Sequence, residues 1–286
     1  MTESNSTLLP PLGERAVSVY RSLVEQIRSF VADQGFADVV VGISGGIDSA
    51  LTTAIAADAL GAEHVHGVVM PSRFTASASV RDATLLGASF GIDIALIDIG
   101  PLLDAYTESL DPVLGDAKRP VVDQNLQARI RANLLMALSN QFDWLVLATG
   151  NRTESMVGYT TLFGDMVGAF APLAPLYKGW VFELARLRNE PDDPIGYGTS
   201  TTCVAPIPTS IIERIPSAEL APDQRDEDEL GPYALLDGLL YHLSQGESAQ
   251  ELEVRGFSAH DVERVHDLVC RAEFKQRYAP PGAKLP

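Results

Sequence analysis

The sequence predicts an α/β fold: a doubly wound, mostly parallel sheet with helices on both faces, followed by a small helical C-terminal region. Short aliphatic runs alternate with longer helical patterns through the first half of the chain, and that alternation produces parallel strands joined by crossover helices. The runs VVVG (39–42) and VHGVV (65–69) are apolar at successive positions, as strands buried on both faces are. The first run ends in a glycine-rich turn, Gly42 to Ser49, at the strand terminus where open α/β sheets collect their ligands.

The elements follow in order. Val17, Tyr20, Val24, Ile27 and Val31 share one face of a helix within an N-terminal arm (1–36), expected to pack on the sheet or on a partner subunit. An α/β core (37–188) begins with the strand at Val39, and its alanine-rich successor, Ile47 to Leu60, is a helix. VHGVVM (65–70) supplies a second strand, a helix is expected at about 80–90, and IDIALIDIG (92–100) alternates well enough for a third strand. A long helical pattern runs from about Asn125 to Phe142, and WLVLATG (144–150) is the fourth strand. Residues 189–208, rich in Pro, Gly, Ser and Thr, predict a mobile loop or lid. The C-terminal part (209–286) opens with an acidic stretch, Asp223 to Glu229, expected to be a solvated helix start. Three short helical patterns follow, one with Val262, Val265 and Val269 on a single face. No internal repeat is present, and the chain is expected to form one domain.

Composition narrows the function. The 46% hydrophobic content of 286 residues indicates a folded globule, and no segment reaches the ~18 consecutive apolar residues of a membrane span. The N-terminal stretch has neither a basic n-region nor an apolar h-region, so a cytoplasmic location without membrane association is expected. A net charge of −17 argues against nucleic acid as a partner, since phosphate contacts require clustered cations. Lysines stand only at 118, 178, 275 and 284, so each one near a motif is informative. Cys203 and Cys270 lack metal-site spacing and are expected to be ordinary free thiols.

The glycine turn carries the chemistry. Gly45 and Gly46 let the backbone turn so that successive N–H groups and the next helix N-terminus, near Ile47, face an anion. Ser44 and Ser49 add hydroxyl donors. Asp48 beside a bound phosphate would be repelled unless a divalent cation lay between them, which makes it a candidate magnesium ligand. The loop is neither GxxxxGK[ST] nor GxGxxG, and no lysine follows the glycines. Its SGGxDS pattern resembles the pyrophosphate loop of the N-type ATP pyrophosphatases, which cleave ATP between the α and β phosphates and adenylate a substrate.

Further motifs follow in order: NLQARIR (125–131), ATGNRTE (148–154), GYTTLFGDMVGAFAPL (158–173), YKG (177–179) and PSAELAPDQRDEDELGPY (216–233). With them the chain, from about Arg15 to Lys284, resembles NAD synthetase, in detail the synthetase domain of the glutamine-dependent enzymes, and an adenine nucleotide alpha hydrolase-like fold is implied. The resemblance implies ATP as co-substrate and Mg2+ as cofactor, with Gly42, Ile43, Ser44, Gly45, Gly46, Ile47, Asp48 and Ser49 holding the phosphates that leave as pyrophosphate. It implies ATP contacts for Thr149, Lys178 and Ser217, and metal ligation by Asp48 and Glu154, with Glu154 also near the substrate carboxyl. Deamido-NAD would be held by Asn125, Arg129, Tyr159, Thr160, Thr161, Leu162 and Lys275, with Asp165 beside the nicotinate and ammonia site. Asp48, Glu154, Asp165 and Lys178 are the catalytic candidates.

Those residue types suit the chemistry. A carboxylate attacking an α-phosphate brings two anions together, so cations must neutralise the oxygens as charge moves to pyrophosphate. Ammonia attacking the acyl-adenylate must lose a proton, which a carboxylate such as Asp165 can accept. Taken singly, Arg129, Glu154, Asp165, Lys178 and Lys275 would be surface charges, and Ser217 a helix cap. Their joint occurrence in order carries the functional reading. The implied reaction is ATP-dependent amidation of deamido-NAD to NAD, releasing AMP and pyrophosphate, by a homodimer with ammonia as direct nitrogen donor. Other amide ligases of the same pyrophosphatase group, or a nucleotide-binding module without turnover, are the alternatives. The residues before Val39 are too few for a Cys-Glu-Lys glutaminase, so glutamine use would call for a separate glutaminase subunit. Two departures from the resemblance stand out: many glutamine-dependent relatives read PLKD where this chain has Pro172-Leu173-Ala174-Pro175, and the 189–208 loop is longer than usual.

Overall fold

A computed structural model of the chain describes residues 8–115, 119–198 and 205–286, so Lys118 and Cys203 lie outside the described residues. Four parallel strands, β1 (Val39–Gly42), β2 (Val65–Val69), β3 (Ile94–Leu96) and β4 (Leu145–Leu147), form one sheet in the order β3-β2-β1-β4. The chain therefore winds outward from β1 through β2 to β3, then returns to place β4 on the other side of β1. That reversal is a topological switch point, and the crevice beyond the carboxyl ends of β1 and β4 is where such a sheet binds ligands.

The helices are α1 (Ala16–Asp33), α2 (Ile47–Leu60), α3 (Ser77–Phe90), α4 (Gly100–Leu114), α5 (Pro120–Phe142), α6 (Arg152–Val157), α7 (Lys178–Arg188), α8 (Thr209–Glu213), α9 (Asp226–Leu230), α10 (Tyr233–Ser244), α11 (Ala249–Arg255) and α12 (Ala259–Gln276). Strand side chains alternate between two cores, as a period of two requires. Val39, Val41, Leu145 and Leu147 enter the larger core with α1, α2, α7 and α10. Val40, Val68 and Val146 enter a smaller one with Ile99 and Leu103 of the α4 region and Ile130 and Leu135 of α5.

Several expectations need correction. The third strand is confined to Ile94–Leu96, because Gly100 and Pro101 start α4, a helix the alternating pattern concealed. The long helix begins at Pro120 rather than Asn125, proline being well suited to a first helical turn. Of the two placements expected for the apolar face of α1, the structure has the first: Val19, Tyr20, Leu23 and Ile27 pack in the core against the sheet. The acidic stretch is not wholly solvated, since Asp226 is buried.

The described ends of the 189–208 segment are fastened. The Asn189 side chain and the Ile207 backbone exchange two hydrogen bonds, of 2.7 and 3.0 Å. Arg188 donates to both carboxylate oxygens of Asp58, at 2.8 and 2.9 Å, and to the carbonyl of Gly198 at 2.9 Å. Tyr20 donates to the same carboxylate at 2.6 Å, and the whole group is enclosed between α1, α2 and α7. Burial raises the Asp58 pKa, with Arg188 and Tyr20 acting in the opposite direction. Removing one partner of such a pair leaves a desolvated charge. Arg188→Met is therefore expected to cost about 3–5 kcal/mol, read from urea unfolding, and the Asp58→Leu/Arg188→Met double variant should recover much of that loss. A single variant as stable as wild type would mean that water reaches Asp58.

Candidate active site

The phosphate loop is shaped by its own hydroxyls. Ser49 Oγ donates to the Gly46 carbonyl at 3.0 Å, accepts from the Ser44 amide at 3.2 Å and lies 3.1 Å from Ser44 Oγ. The amide of Gly46 donates to Ser44 Oγ at 3.1 Å. No side chain caps the N-terminus of α2, so its first-turn dipole faces the crevice. Gly45 holds φ +80°, and a Cβ there would collide with the Ser79 carbonyl of α3, so only glycine fits. Ile43 is fully packed, leaving only its backbone for any ligand.

Beside this loop, three ionisable groups meet. Lys178 Nζ donates to Asp48 Oδ2 at 2.6 Å and to Glu154 Oε1 at 3.1 Å. The lysine is only 2% exposed although it occupies the first turn of α7, where the helix dipole disfavours a cation. Burial alone would depress its pKa, but Asp48 and Glu154 outweigh that and raise it, so the ammonium stays charged. Glu154 is pushed up to about 7, chiefly by burial, with Asp48 adding to the rise and Lys178 opposing it.

Asn151 sets the pair's geometry. Its Oδ1 accepts from the Glu154 amide at 3.0 Å while Glu154 Oε2 accepts from the Asn151 amide at 3.3 Å, a reciprocal cap on α6. Asn151 Nδ2 then donates to Asp48 Oδ1 at 2.8 Å. Two half-buried carboxylates share one ammonium, and the negative charge left over adds to the effect of burial on Glu154. Hard oxygen donors with uncompensated charge suit Mg2+, which takes one or two carboxylates and completes its shell with phosphate and water.

A second group gathers around residues 158–165. Lys275 of α12 donates to the carbonyls of Gly158 and Thr160 at 2.7 and 2.6 Å. Arg129 Nε donates to the Leu162 carbonyl at 3.2 Å, and Thr161 Oγ1 donates to Asn125 Oδ1 at 2.8 Å. Asp165 Oδ1 accepts from the Thr161 amide at 2.6 Å. Its carboxyl opens on the cavity yet is crowded by protein, and loss of hydration pushes it up to about 6 against the Thr161 amide and the Lys275 ammonium. Tyr159 instead donates its hydroxyl to Asp226 at 3.2 Å.

Residues 214–226 cross the crevice as a strap. Arg214 donates to Ser79 Oγ at 2.6 Å, to the Gly45 carbonyl at 3.4 Å, and to Asp82. Glu219 accepts from the Ala76 amide at 3.1 Å and from Ser79 Oγ at 2.6 Å, capping α3, which has no cap of its own. Ser217 is no helix cap: its hydroxyl donates to the Gln224 carbonyl at 2.6 Å and accepts from the Glu219 amide at 3.1 Å. The strap, the loop and β4 enclose a cavity of about 330 Å³ whose wall includes Asp48, Thr149, Lys178, Ser217 and Arg131. Arg131 Nε donates to the Met70 carbonyl at 2.9 Å, and burial pulls its pKa down to about 10.

The sequence profile of the NAD synthase family matches residues 19–279. The chain belongs to the NAD synthase family. It is 45% identical over 276 residues to the glutamine-dependent NAD(+) synthetase of Acinetobacter baylyi, covering 96% of this chain and 49% of that protein. The corresponding Aquifex aeolicus protein is 40% identical over 93% of this chain and 45% of its own length. The chain thus spans about half the length of the curated relatives it matches. Among solved structures, the Acinetobacter baumannii glutamine-dependent NAD+ synthetase with ADP superposes with a TM-score of 0.66 at 38% identity, over 97% of this chain and 48% of that one. An NMN synthetase from Francisella tularensis gives 0.75 at 27% identity, covering 91% and 95%. An NH3-dependent NAD synthetase from Campylobacter jejuni gives 0.68 at 25% identity, covering 94% and 96%.

The tertiary structure gathers the candidates into two sets. Asp48, Thr149, Glu154, Tyr159, Thr160, Asp165, Lys178, Ser217 and the loop residues 42–49 (Gly45 apart) line the cavity, while Asn125, Arg129 and Lys275 buttress the 158–165 segment through Thr161, Leu162, Gly158 and Thr160. Asn151, Arg131, Arg214, Glu219 and Asp226 were not among the candidates. Asn151 carries a readable signal, since Asn-x-x-Glu is a capping pattern. The others join only through contacts between distant segments. A Cβ on Gly282 would strike the Ala174 methyl, so the C-terminal tail packs directly on position 174.

The raised Asp165 pKa has a readable consequence. The folded state binds that proton more tightly than the unfolded chain, so the associated stability is full below about pH 4 and lost as pH rises through about 6. Solvent access damps its size. The difference in urea midpoint between wild type and Asp165→Asn should therefore shift against wild type between pH 4 and pH 7. A difference that stays flat with pH would mean that Asp165 titrates as an ordinary surface acid.

Proposed function

We propose that the chain catalyses ATP-dependent amidation of deamido-NAD to NAD, through an adenylated nicotinate carboxyl, releasing AMP and pyrophosphate, with ammonia as the direct nitrogen donor. The observation that carries this reading is the buried Lys178 ammonium held between Asp48 and Glu154 beside a phosphate loop at the switch point of the sheet. Adenylation brings a carboxylate onto the α-phosphate, and the charge that moves to pyrophosphate must meet fixed cations. Lys178 supplies one, held at the end of its stem. Mg2+ bound by Asp48 and Glu154 would supply Lewis-acid neutralisation of the phosphate oxygens.

The remaining roles follow from placement. The uncapped α2 N-terminus and the loop amides offer donors to the leaving phosphates. Thr149 and Ser217, both on the cavity wall, would contact the nucleotide, and the buttressed 158–165 segment would hold the deamido-NAD. Asp165, poised near neutrality, accepts the proton that ammonia sheds on attacking the acyl-adenylate. Ammonia as direct donor is supported by the likeness to the Campylobacter NH3-dependent enzyme, which matches this chain over nearly its whole length. The glutamine-dependent relatives support a glutaminase, separate or fused, as the source of that ammonia. A homodimer belongs to the same reading: the outer face of α4 and α5 leaves Leu102, Tyr106, Val113, Val121 and Met136 exposed. So does a cytoplasmic location; among the described residues no helix is long and apolar enough to cross a membrane.

A second reading, favoured by the likeness to the Francisella NMN synthetase, keeps the chemistry but takes a mononucleotide as the acid. One assay separates the two: purified chain with Mg-ATP, ammonium or glutamine, and either deamido-NAD or nicotinate mononucleotide, with AMP and the amidated product quantified. NAD formed from ammonium is the expected result; turnover of the mononucleotide alone would replace it with the second reading, and AMP from neither acid would reject both. Asp48→Ala is expected to lower AMP formation by about 100-fold or more. Asn125→Ala should mainly raise KM for deamido-NAD, by about 10-fold, and wild-type kinetics in either variant would remove that residue from its role.

A further inference from the structure

Asp226 is a buried carboxylate that the proposed chemistry leaves unused. It is 4% exposed, at the first turn of α9, and accepts three hydrogen bonds from three separate segments. Tyr233 donates its hydroxyl to Oδ2 at 3.1 Å, while Tyr159 and the amide of Ala218 donate to Oδ1 at 3.2 and 3.0 Å. The ring of Tyr233 lies 5.2 Å from Lys178 Nζ, within cation–π range. One carboxylate is thus joined to the aromatic face under Lys178, to the strap residue next to Ser217, and to the tyrosine that opens the 158–165 segment.

From this juxtaposition we infer that Asp226 is a positioning residue for Lys178, acting through the Tyr233 ring. The inference rests on the ATP-dependent reading of the site. Its physical content is a problem of geometry. In the structure two of the ammonium's three N–H groups engage Asp48 and Glu154, at 2.6 and 3.1 Å. To meet more than one phosphate oxygen it must reorient without losing its support, and a ring face attracts a cation without demanding one direction. A tyrosine free to rotate would not provide that face, and the bond to Asp226 fixes it. Asp226 also adds a third negative charge near Lys178, so the ammonium keeps an anionic neighbour when Asp48 and Glu154 turn to a metal ion. A role confined to holding loops together would need only a neutral acceptor, and a buried charge is the costly way to supply one.

The test is Mg-ATP affinity measured by titration calorimetry on wild type, Asp226→Asn, Lys178→Gln and the double variant, with thermal midpoints recorded for each. Asp226→Asn is expected to weaken Mg-ATP roughly 10- to 100-fold, and in the Lys178→Gln background the same change should matter by about threefold or less, because coupled residues are not additive. Equal effects in both backgrounds would make Asp226 purely structural and overturn the inference. If Asp226→Asn does not fold, Tyr233→Phe replaces it, since that variant keeps the ring and loses only its tether. It should weaken Mg-ATP about 3- to 10-fold while remaining folded at the temperature of the titration, and an unchanged affinity would overturn the inference. A wild-type protein that binds no Mg-ATP would instead reject the proposed function on which the inference rests, an outcome read from the first titration alone.

Discussion

A lysine ammonium removed from water between two carboxylates is the constraint on which the rest of the site depends. Lys178 comes from the start of α7, Asp48 from the first turn of α2 and Glu154 from α6. Burying those charges is favourable only if all three are held close and in register. Holding them fixes α2, α6 and α7 relative to one another. The Asn151 cap, the Asp237 carboxylate that accepts from Thr153 and the Gly179 amide at 2.5 and 2.7 Å, and the Tyr233 ring are the means by which this is done.

The sheet explains why the charges can meet there at all. β1 and β4 are neighbours although more than one hundred residues separate them, and both deliver their following turns to the same edge. The glycine turn after β1 and the Asn151 turn after β4 therefore face each other across the switch point. The larger core, running from α1 through the sheet to α10, keeps the strand ends rigid, so the site is carried by the most packed part of the molecule. The strap, by contrast, is held by polar ties from Arg214, Glu219 and Asp226, which can be exchanged at lower cost than core packing.

Much of the fold was legible in the chain. Val39 to Ser49 read as strand, turn and helix because a β-branched run, paired glycines and an alanine-rich segment agree locally. Where patterns conflicted, legibility failed. Ile92 to Gly100 alternates like a strand, but the tail of that pattern turns into α4 once Gly100 and Pro101 offer a helix start. The acidic run 223–229 looks solvated residue by residue, yet Asp226 is drawn inward by two tyrosine hydroxyls and an amide from elsewhere in the chain.

The sequence by itself determined the fold class, the family, and the presence of a phosphate-type loop with an acid in it, because these depend on order and on neighbours a few residues apart. Only the tertiary structure decided which cation faces that acid, that Asn151 couples Asp48 to Glu154, that Arg214 and Glu219 clamp α3 against Gly45, and that Asp226 stands behind Lys178. The physical reason is sequence separation. Propensity and periodicity act over a helical turn or a strand, whereas the field and hydration at a buried charge are set by whatever the fold brings within a few ångströms, from any distance along the chain.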